Sequence, residues 1–400
     1  MKKIIILCLC TVFIFGGCSY GEDVDNQSFV IAVGIDKGEV YPLRLTFVFA
    51  NPSKNSSKEE KSPSSPNPDI VTVEAPTTFS AVRKLDAIKS KEINLTHTKI
   101  VVFAEEIAKT GVGEFLSGFA SSRAFRPNTY VCISENAEDY LSAVKPSQEE
   151  FIEKYYDHIM QKVASGKSNE AYLYYLFFNA SDKFSGSLVP LAGINSNDIP
   201  DSPYPLYTES DDFSYEARAG EIIRKTENRA EILGSAILRN DKFVGTLGSF
   251  ETDLSRMIRN EYYPRSYSIT YPEKEDYVTI RLFQQSSPTF HTEIINSNAK
   301  INITVPVSVE YVDSGKIQNN GKKSDDFCDY LEKELDFRAK QLVYDAQNTY
   351  RSDFLGLGNK LKHHFPDMES WDKFNWETKF SAANINISFK VLFADFEETN

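Results

Sequence analysis

Histidine and cysteine are both scarce in this chain, with five of each among 400 residues. His363 and His364 are the only histidines close in sequence, and adjacent residues on a helix point about 100° apart. No Cys-x-x-Cys or His-x-x-x-His spacing occurs, so the common zinc-site patterns are excluded. We interpret the histidine pair as exposed residues at a helix end and predict no metal site.

Known catalytic and phosphate-binding motifs are also missing. Residues 17–21 match Gly-x-Ser-x-Gly only as a string, because they follow the N-terminal apolar run and do not lie at a strand-to-helix turn. Residues 166–168 read Gly-Lys-Ser, but Gln161 stands where a Walker motif requires its first glycine. Gly356-Leu357-Gly358 begins like a dinucleotide loop, but Leu361 stands where a third glycine is required, so we predict a bend between two helices. Carboxylates such as Glu105 and Glu106 are explained by a position at a helix N-terminus. The sequence therefore predicts no enzyme, no catalytic residue and no cofactor.

Basic residues are outnumbered: 44 lysines and arginines stand against 57 aspartates and glutamates, a formal net charge of −13. A chain this acidic lacks the positive surface that nucleic-acid binding requires. Hydrophobic residues make up 41% and aromatic residues 13%, which excludes a disordered chain. The length predicts two or three domains.

Long hydrophobic runs are missing after the first 15 residues, so no later segment is long enough to span a membrane. Lys2 and Lys3 precede the apolar residues 4–15, which is the layout of a secretory signal. Gly16-Gly17-Cys18 follows and resembles the bacterial lipobox, in which the cysteine is acylated. We predict a lipoprotein signal at residues 1–17, with S-diacylglycerol and an N-acyl chain on Cys18. The alternative is an ordinary signal peptide that happens to contain a cysteine.

Cleavage before Cys18 removes Lys2 and Lys3 and leaves 383 residues with a net charge of −15 (42 − 57). Two acyl chains anchor a protein firmly where one is marginal. Residues 18–28 would then form a polar tether between the lipid and the folded body. Cys132 and Cys328 are the thiols that remain, and their apolar neighbours predict that both pack as small hydrophobic residues.

Hydrophobic patterning divides the rest into an N-terminal region at 29–200, an interdomain segment at 201–231 and a C-terminal region at 232–400. The first region alternates strands and helices, which indicates an α/β or α+β fold. Its predicted strands are 29–35, 43–49, 70–73, 99–104 and 130–134, and its predicted helices include 77–90 and 148–164. Residues 51–69 are rich in Ser and Pro and predict a flexible surface insertion, with a recognition loop as the alternative.

The C-terminal region has the patterning of an α+β unit with mainly antiparallel strands. Its predicted elements are a hairpin over 233–247, a short helix at 251–259, a strand at 301–312, a long helix at 327–343 and a strand at 385–393. Pro306 lies among the outward-facing residues of its strand, which favours an edge strand or a bulge.

Several blocks in this order resemble the Ger(x)C family of spore germination lipoproteins, the C subunits of nutrient germinant receptors. The blocks are residues 29–38 (FVIAVGIDKG), 76–85, 97–109, 234–252 and 347–371. Together with the lipobox they cover nearly the whole mature chain. The resemblance departs from the family at residues 253–255 and in the length of the insertion at 51–69.

The resemblance implies an elongated α+β protein of three lobes with mixed or antiparallel sheets, the C-terminal region being divided into 232–295 and 296–400. It implies no enzymatic activity and a place beside two integral-membrane subunits, A and B, at the spore inner membrane of an endospore-forming bacterium. Direct nutrient binding by this chain is not expected. The rival hypothesis is a lipid-anchored solute-binding protein of a transporter, which predicts two lobes around a deep polar cleft. An envelope hydrolase is a third alternative.

Overall fold

The computed structural model describes residues 26–50, 68–122, 125–146, 149, 151–163, 170–181, 186–196, 217–222, 224–271, 277–313 and 321–394. The predicted signal at 1–17, Cys18 and most of the insertion at 51–69 lie outside these residues. The described chain forms two β-sheets with helices packed on them, so the predicted α+β fold class is confirmed. The division into three lobes stays a prediction.

The first sheet contains the predicted strands of the N-terminal region. Its strands are β1 (Gln27–Lys37), β2 (Leu43–Phe49), β3 (Asp69–Ala75), β4 (Glu92–Asn94), β5 (Ile100–Ala104), β6 (Tyr130–Ser134), β7 (Gly186–Ile194), β8 (Ala230–Arg239) and β9 (Lys242–Leu247). They lie in the order β3-β2-β1-β5-β6-β7-β8-β9, with β4 paired to β1. β1, β5, β6 and β7 run parallel, and the strands on either side of them are antiparallel.

Helices cover both faces of this sheet. They are α1 (Thr78–Asp86), α2 (Glu105–Thr110), α3 (Gly113–Ser122), α4 (Ala137–Ala143), α5 (Ile152–Val163) and α6 (Leu173–Ser181). One hydrophobic core lies under α1, α2, α3 and α6, and a second lies under α4 and α5. The parallel strands are therefore buried on both faces, which explains their near-continuous apolar sequences.

Two helices are shorter than predicted. α1 is capped by Thr77, whose side chain accepts from the Ser80 amide at 3.1 Å, but it ends at Asp86 instead of residue 90. The amides of Ile88 and Lys89 both turn back to the Leu85 carbonyl and close the helix. α5 begins at Ile152 rather than at residue 148.

The segment predicted to separate two domains begins and ends in one sheet. β7 lies before it, and β8 begins at Ala230 and pairs antiparallel with β7. The predicted hairpin of β8 and β9 is confirmed, and it completes the first sheet. Residues 197–216 lie outside the described residues, and the division at 201–231 stays a prediction.

The second sheet lies in the C-terminal region. Its strands are β10 (Arg265–Thr270), β11 (Tyr277–Phe283), β12 (Thr289–Ile295), β13 (Asn298–Asp313) and β14 (Asn384–Phe393), and its helices are α7 (Ser249–Arg259), α8 (Gly321–Tyr344), α9 (Leu357–Leu361), α10 (Met368–Phe374) and α11 (Trp376–Phe380). α8 continues as a π-helical turn, Asp345–Tyr350. The predicted apolar stripe of α8 is confirmed, since Phe327, Leu331, Leu335, Ala339 and Val343 are all buried. Pairing is mainly antiparallel, but β14 runs parallel to β13.

The prediction that Pro306 marks an edge strand is wrong, because β13 has partners on both sides. The carbonyl of Val309 accepts from the Ala394 amide on the β14 side, and since strand residues alternate, Pro306 faces the other side. On that side β12 pairs with β13 only as far as Thr304, and the pairing of β11 with β13 begins at Ser308. Pro306 lies in the gap between these two partners, so its missing N–H leaves no hydrogen bond of the ladder unmade.

Three smaller predictions are confirmed. Cys132 and Cys328 are buried free thiols. His363 and His364 are exposed in a short 3-10 turn that follows α9. Gly356, in the left-handed region at φ 70°, turns the chain into α9.

Candidate functional site

Asp36, in the first block that resembles the family, joins β1 to α4. Its carboxylate accepts from the backbone amides of Ala137 (2.8 Å) and Glu138 (3.0 Å), at the start of that helix. Burial raises the pKa of Asp36 above its ordinary value, although the two amides favour the charged form. A Cβ on Gly34 would lie 2.9 Å from the Leu141 side chain, so glycine lets α4 approach the strand. This block therefore positions a helix rather than a substrate.

Asp353, in the late block, has the same kind of role in the second half. Its buried carboxylate accepts from the amides of Leu357 (2.9 Å) and Gly358 (2.7 Å) and from the indole Nε1 of Trp376 (2.8 Å). Burial raises the pKa of Asp353 from its ordinary 3.8 to about 6. The carboxylate thus fixes the start of α9 against α11.

A third carboxylate, that of Glu74 on β3, organises the turn between β1 and β2. It accepts from the amides of Glu39 (2.9 Å), Val40 (2.8 Å) and Tyr41 (3.2 Å). These backbone donors, with Arg44, lower the pKa of Glu74 to about 2. The turn is held in one shape while the Val40 side chain stays 82% exposed.

A buried charged cluster lies where the second half of the chain meets the first. We use this name for Glu170, Asp253, Arg256, Arg259 and Glu261. Glu170 is 1% exposed and binds Arg259 and, at 3.4 Å, Arg256. Arg259 also binds Glu261 at 2.6 Å. Arg256 contacts Asp253, which lies one turn earlier on α7, at 3.6 Å.

Tyrosines and a further arginine complete the surroundings of the cluster. The hydroxyl of Tyr267 donates to Asp253 at 2.9 Å, and Arg265 lies 3.4 Å from the same carboxylate. Burial raises the pKa of Asp253, opposed by Arg265 and Arg256. Burial alone would lower the pKa of Arg259, but Glu170 and Glu261 hold it above its ordinary value. Each charge of the cluster therefore lies beside at least one charge of opposite sign, as burial requires.

The cluster connects elements that are distant in sequence. Glu170 precedes α6, which packs on the first sheet, whereas Arg259 ends α7 and also donates to the carbonyl of Phe354 at 3.4 Å. The sequence predicted α7, but it gave no signal for the cluster, because Glu170 lies outside any periodic segment. The burial and the partners of Glu170 can be identified only from the three-dimensional structure.

A polar cleft of about 560 Å³ lies at the carboxyl ends of β6 and β7. Parallel sheets commonly bind ligands at this edge. The cleft is lined mainly by acidic and small side chains, among them Glu105, Ser134, Glu135, Asp139 and Glu221, and by one arginine, Arg218. All its lining residues belong to the first sheet or to the segments around it, so the cleft does not lie between the two sheets.

The predicted lipid acceptor, Cys18, lies outside the described residues and the structure does not test it. Among the helices that the structure describes, none is both long and apolar enough to cross a membrane. Nor do three or more His, Cys, Asp or Glu side chains come together as a metal site within these residues.

These features define a class of protein: an α+β body whose buried carboxylates hold its elements together. Comparison with protein families identifies the class further. Residues 21–193 match the model described as "Spore germination protein N-terminal domain", and residues 233–395 match "Spore germination B3/ GerAC like, C-terminal". The chain belongs to the Ger(x)C family of spore germination proteins.

Similar proteins agree with this assignment over both halves. Spore germination protein B3 of Bacillus subtilis (strain 168) is 22% identical over 394 residues, which cover 94% of this chain and 93% of that protein. Spore germination protein A3 of the same organism is 27% identical over 136 residues, 33% of this chain and 35% of that protein. The crystal structure of the GerBC protein matches with a TM-score of 0.54 and 15% identity, covering 90% of this chain and 96% of that chain. At this identity the structural match shows the fold alone.

Proposed function

We propose that this chain is the lipid-anchored, non-enzymatic C subunit of a nutrient germinant receptor. Diacylglycerol on Cys18 holds it on the outer face of the membrane that becomes the spore inner membrane. The body docks on the integral-membrane A and B subunits, helps to assemble them and transmits or stabilises the nutrient-triggered change.

The observation that carries this proposal is the match of two consecutive spore germination models to both halves of the chain. Three further observations support it. The lipobox-like residues 16–18 directly precede the first matched region, whose model begins at residue 21. The described helices include no membrane span, so attachment would depend on another element such as the lipid. The blocks that resemble the family hold structural carboxylates, Asp36 and Asp353, rather than reactive groups.

Replacement of the proposed lipid acceptor tests the anchor. Cys18→Ala prevents acylation, so we expect the chain to leave the membrane fraction and germination with nutrient to fail. Cys10→Ala is the matched control, because Cys10 lies within the predicted signal and is removed with it. A Cys18→Ala chain that stays in the membrane fraction of spores that germinate normally would contradict the anchor.

The cleft at the carboxyl ends of β6 and β7 favours one alternative, a solute-binding protein for a transporter. That class closes two lobes around its solute, whereas this cleft is lined by residues of the first sheet and its connections. Calorimetry of the purified body with amino acids and nucleosides distinguishes the two functions. A micromolar ligand would favour the solute-binding protein, and we expect no heat of binding.

A further inference from the structure

The folded body has two opposite edges at its first sheet. β1 begins at Gln27, and β5 and β6 run parallel to it, so the amino ends of these three strands share one edge. We name this the amino edge, and it includes Lys91, His97, Lys99 and Arg126, which lie just before β4, β5 or β6. The opposite carboxyl edge includes the turn after β1 and the cleft. β1 has 11 residues, so the edges are about 35 Å apart.

The proposed tether enters the body at the amino edge. Eight residues lie between Cys18 and Gln27, so the chain makes nine Cα-to-Cα steps, and a fully extended chain spans at most about 3.5 Å per step, or about 32 Å in all. A flexible chain of this length has a root-mean-square span of only about 17 Å. Lipid on Cys18 therefore keeps the amino edge near the bilayer, whereas the carboxyl edge lies a further strand length away.

The amino edge carries two exposed basic side chains, Lys91 and Arg126. Lys91, His97 and Arg126 are exposed, and the His97 ring packs on Phe29 at the start of β1, with centroids 4.7 Å apart. Burial lowers the pKa of His97, and the nearby positive charges of Arg126 and Lys99 lower it further. Lys99 pairs with Asp157 at 2.7 Å, but Lys91 and Arg126 form no ion pair with any described residue.

Acidic groups surround these cations only in part. Glu92 is exposed beside Lys91, and Asp69, at the start of β3, is bound to Lys89. Among the described residues the amino edge is therefore close to neutral or slightly positive, whereas the proposed tether that joins it carries Glu22, Asp23 and Asp25, in a chain whose mature form carries −15.

The carboxyl edge has an excess of negative charge. Glu39 is 81% exposed and pairs with Arg44, and the exposed Glu106 pairs with Lys37. The cleft at this edge adds the exposed carboxylates Glu135, Asp139 and Glu221, against one arginine, Arg218. Negative charge therefore accumulates at the end of the sheet that is farther from the tether.

We propose that the amino edge of the first sheet faces an anionic lipid surface and that the acidic carboxyl edge is held away from it. This inference rests on the proposed lipid anchor. The surface potential of anionic lipid attracts each nearby basic residue by about 1 kcal/mol and repels acidic groups within a Debye length of about 8 Å. The length of the tether and the greater negative charge of the carboxyl edge therefore favour the same orientation.

The second half of the chain covers part of the amino edge, so only the remaining part can face the lipid surface. The hydroxyl of Ser352 donates to the Leu238 carbonyl at 2.8 Å, and a Cβ on Gly186 would meet the same serine. The ends of β7 and β8 are thus covered by the second half. The lipid-facing surface is the part formed by β1, β4, β5 and β6.

Energy transfer to labelled lipid measures the orientation directly. A donor dye is placed by Thr96→Cys at the amino edge or by Val40→Cys at the carboxyl edge, since both positions are exposed and Cys132 and Cys328 are buried. The full lipidated chain is reconstituted in vesicles of phosphatidylglycerol and phosphatidylcholine that carry an acceptor lipid. We expect clearly stronger transfer from position 96 than from position 40, as for sites about 30 Å apart.

Charge variants test the role of the cations. Lys91→Glu with Arg126→Glu should reduce transfer from position 96 on anionic vesicles, whereas the matched control, Lys333→Glu with Lys373→Glu on exposed lysines of the second half, should leave it unchanged. Equal transfer from the two positions, or stronger transfer from position 40, would overturn the orientation. If strong transfer from position 96 arises only when membrane subunits are reconstituted with the chain, the amino edge binds a protein partner. That result would overturn the proposal that it faces lipid.

Flotation of the same vesicles distinguishes a failure of the lipid anchor from a failure of the orientation. A chain that floats with the vesicles but shows no preferred edge contradicts only the orientation. A chain that does not float contradicts the lipid anchor and the orientation with it.

Discussion

Asp36 holds the start of α4 from a strand that lies about a hundred residues earlier in the chain. Asp36→Ala leaves the buried amides of Ala137 and Glu138 without an acceptor, and each such group costs about 1–3 kcal/mol. We expect the free energy of unfolding to fall by about 2–4 kcal/mol, measured by urea denaturation of the soluble body. Asn136→Ala, which removes the local cap of the same helix, should cost only about 1 kcal/mol.

Equal losses from the two variants would show that the carboxylate of Asp36 does not support α4. The family-like block would then need another explanation for its aspartate.

Asp353 gives the stability a dependence on pH. Its pKa is about 6 in the folded state against an ordinary 3.8, so between these values the folded state binds more protons than the unfolded state. Its contribution is therefore fully present below about pH 4 and is lost as pH rises through 6. The pKa difference corresponds to about 3 kcal/mol.

Asp353→Asn removes this titration. We expect the variant to be less stable than the parent at every pH, with a deficit that shrinks between pH 4 and pH 7. Urea denaturation at several pH values measures the deficit, and one that is constant with pH would contradict the raised pKa.

At the residue scale, the resemblance to the family drew attention to blocks of residues without indicating what each residue in them does. Asp36 and Asp353 stand in the blocks that resemble the family, yet their hydrogen-bond partners come from α4, α9 and α11. A single sequence carries no information on such pairs, because the partners are backbone amides, which every residue has.

At the scale of elements, α8 protects the outer edge of β14. Glu332 accepts from the Val391 amide at 2.9 Å, and Asp336 accepts from the Phe389 amide at 2.6 Å. These carboxylates satisfy two amides that an uncovered edge would offer to another chain.

We expect Glu332→Ala with Asp336→Ala to speed hydrogen exchange at the Phe389 and Val391 amides and to promote self-association. Lys333→Ala, on the exposed face of the same helix, is the control and should change neither property. Unchanged exchange at both amides in the double variant would show that α8 covers the edge without these carboxylates.

Periodicity predicted most of the strands but fewer than half of the α-helices that the structure describes. It works where alternation or four-residue spacing reports which face is buried. It did not predict partners: β14 has the alternation of an antiparallel strand but lies parallel to β13. For the same reason the sequence could not show that β8 and β9 complete the first sheet, nor that the gap between β11 and β12 accommodates Pro306.

At the scale of the whole molecule, the buried charged cluster holds the second half of the chain against the first. Glu170→Gln removes the partner of two buried arginines, Arg256 and Arg259, and breaking a buried pair in this way typically costs about 3–5 kcal/mol. We expect a loss of this size in the free energy of unfolding, with faster hydrogen exchange in both α6 and α7.

The control is Glu369→Gln, which breaks an exposed pair with Lys373 and should cost less than about 1 kcal/mol. In a double-mutant cycle, Arg259→Gln should cost less in the Glu170→Gln background than in the parent. Additive losses would mean that Glu170 and Arg259 stabilise the fold independently.

Purification of the tagged chain from membranes of an endospore-forming bacterium tests the proposed function most directly. The account predicts that two integral-membrane germination proteins accompany the chain in fixed proportion, and that Cys18→Ala, which releases the body from the membrane, reduces their recovery. A chain that purifies alone from detergent extracts, or that carries a solute permease instead, would contradict its place as a receptor subunit.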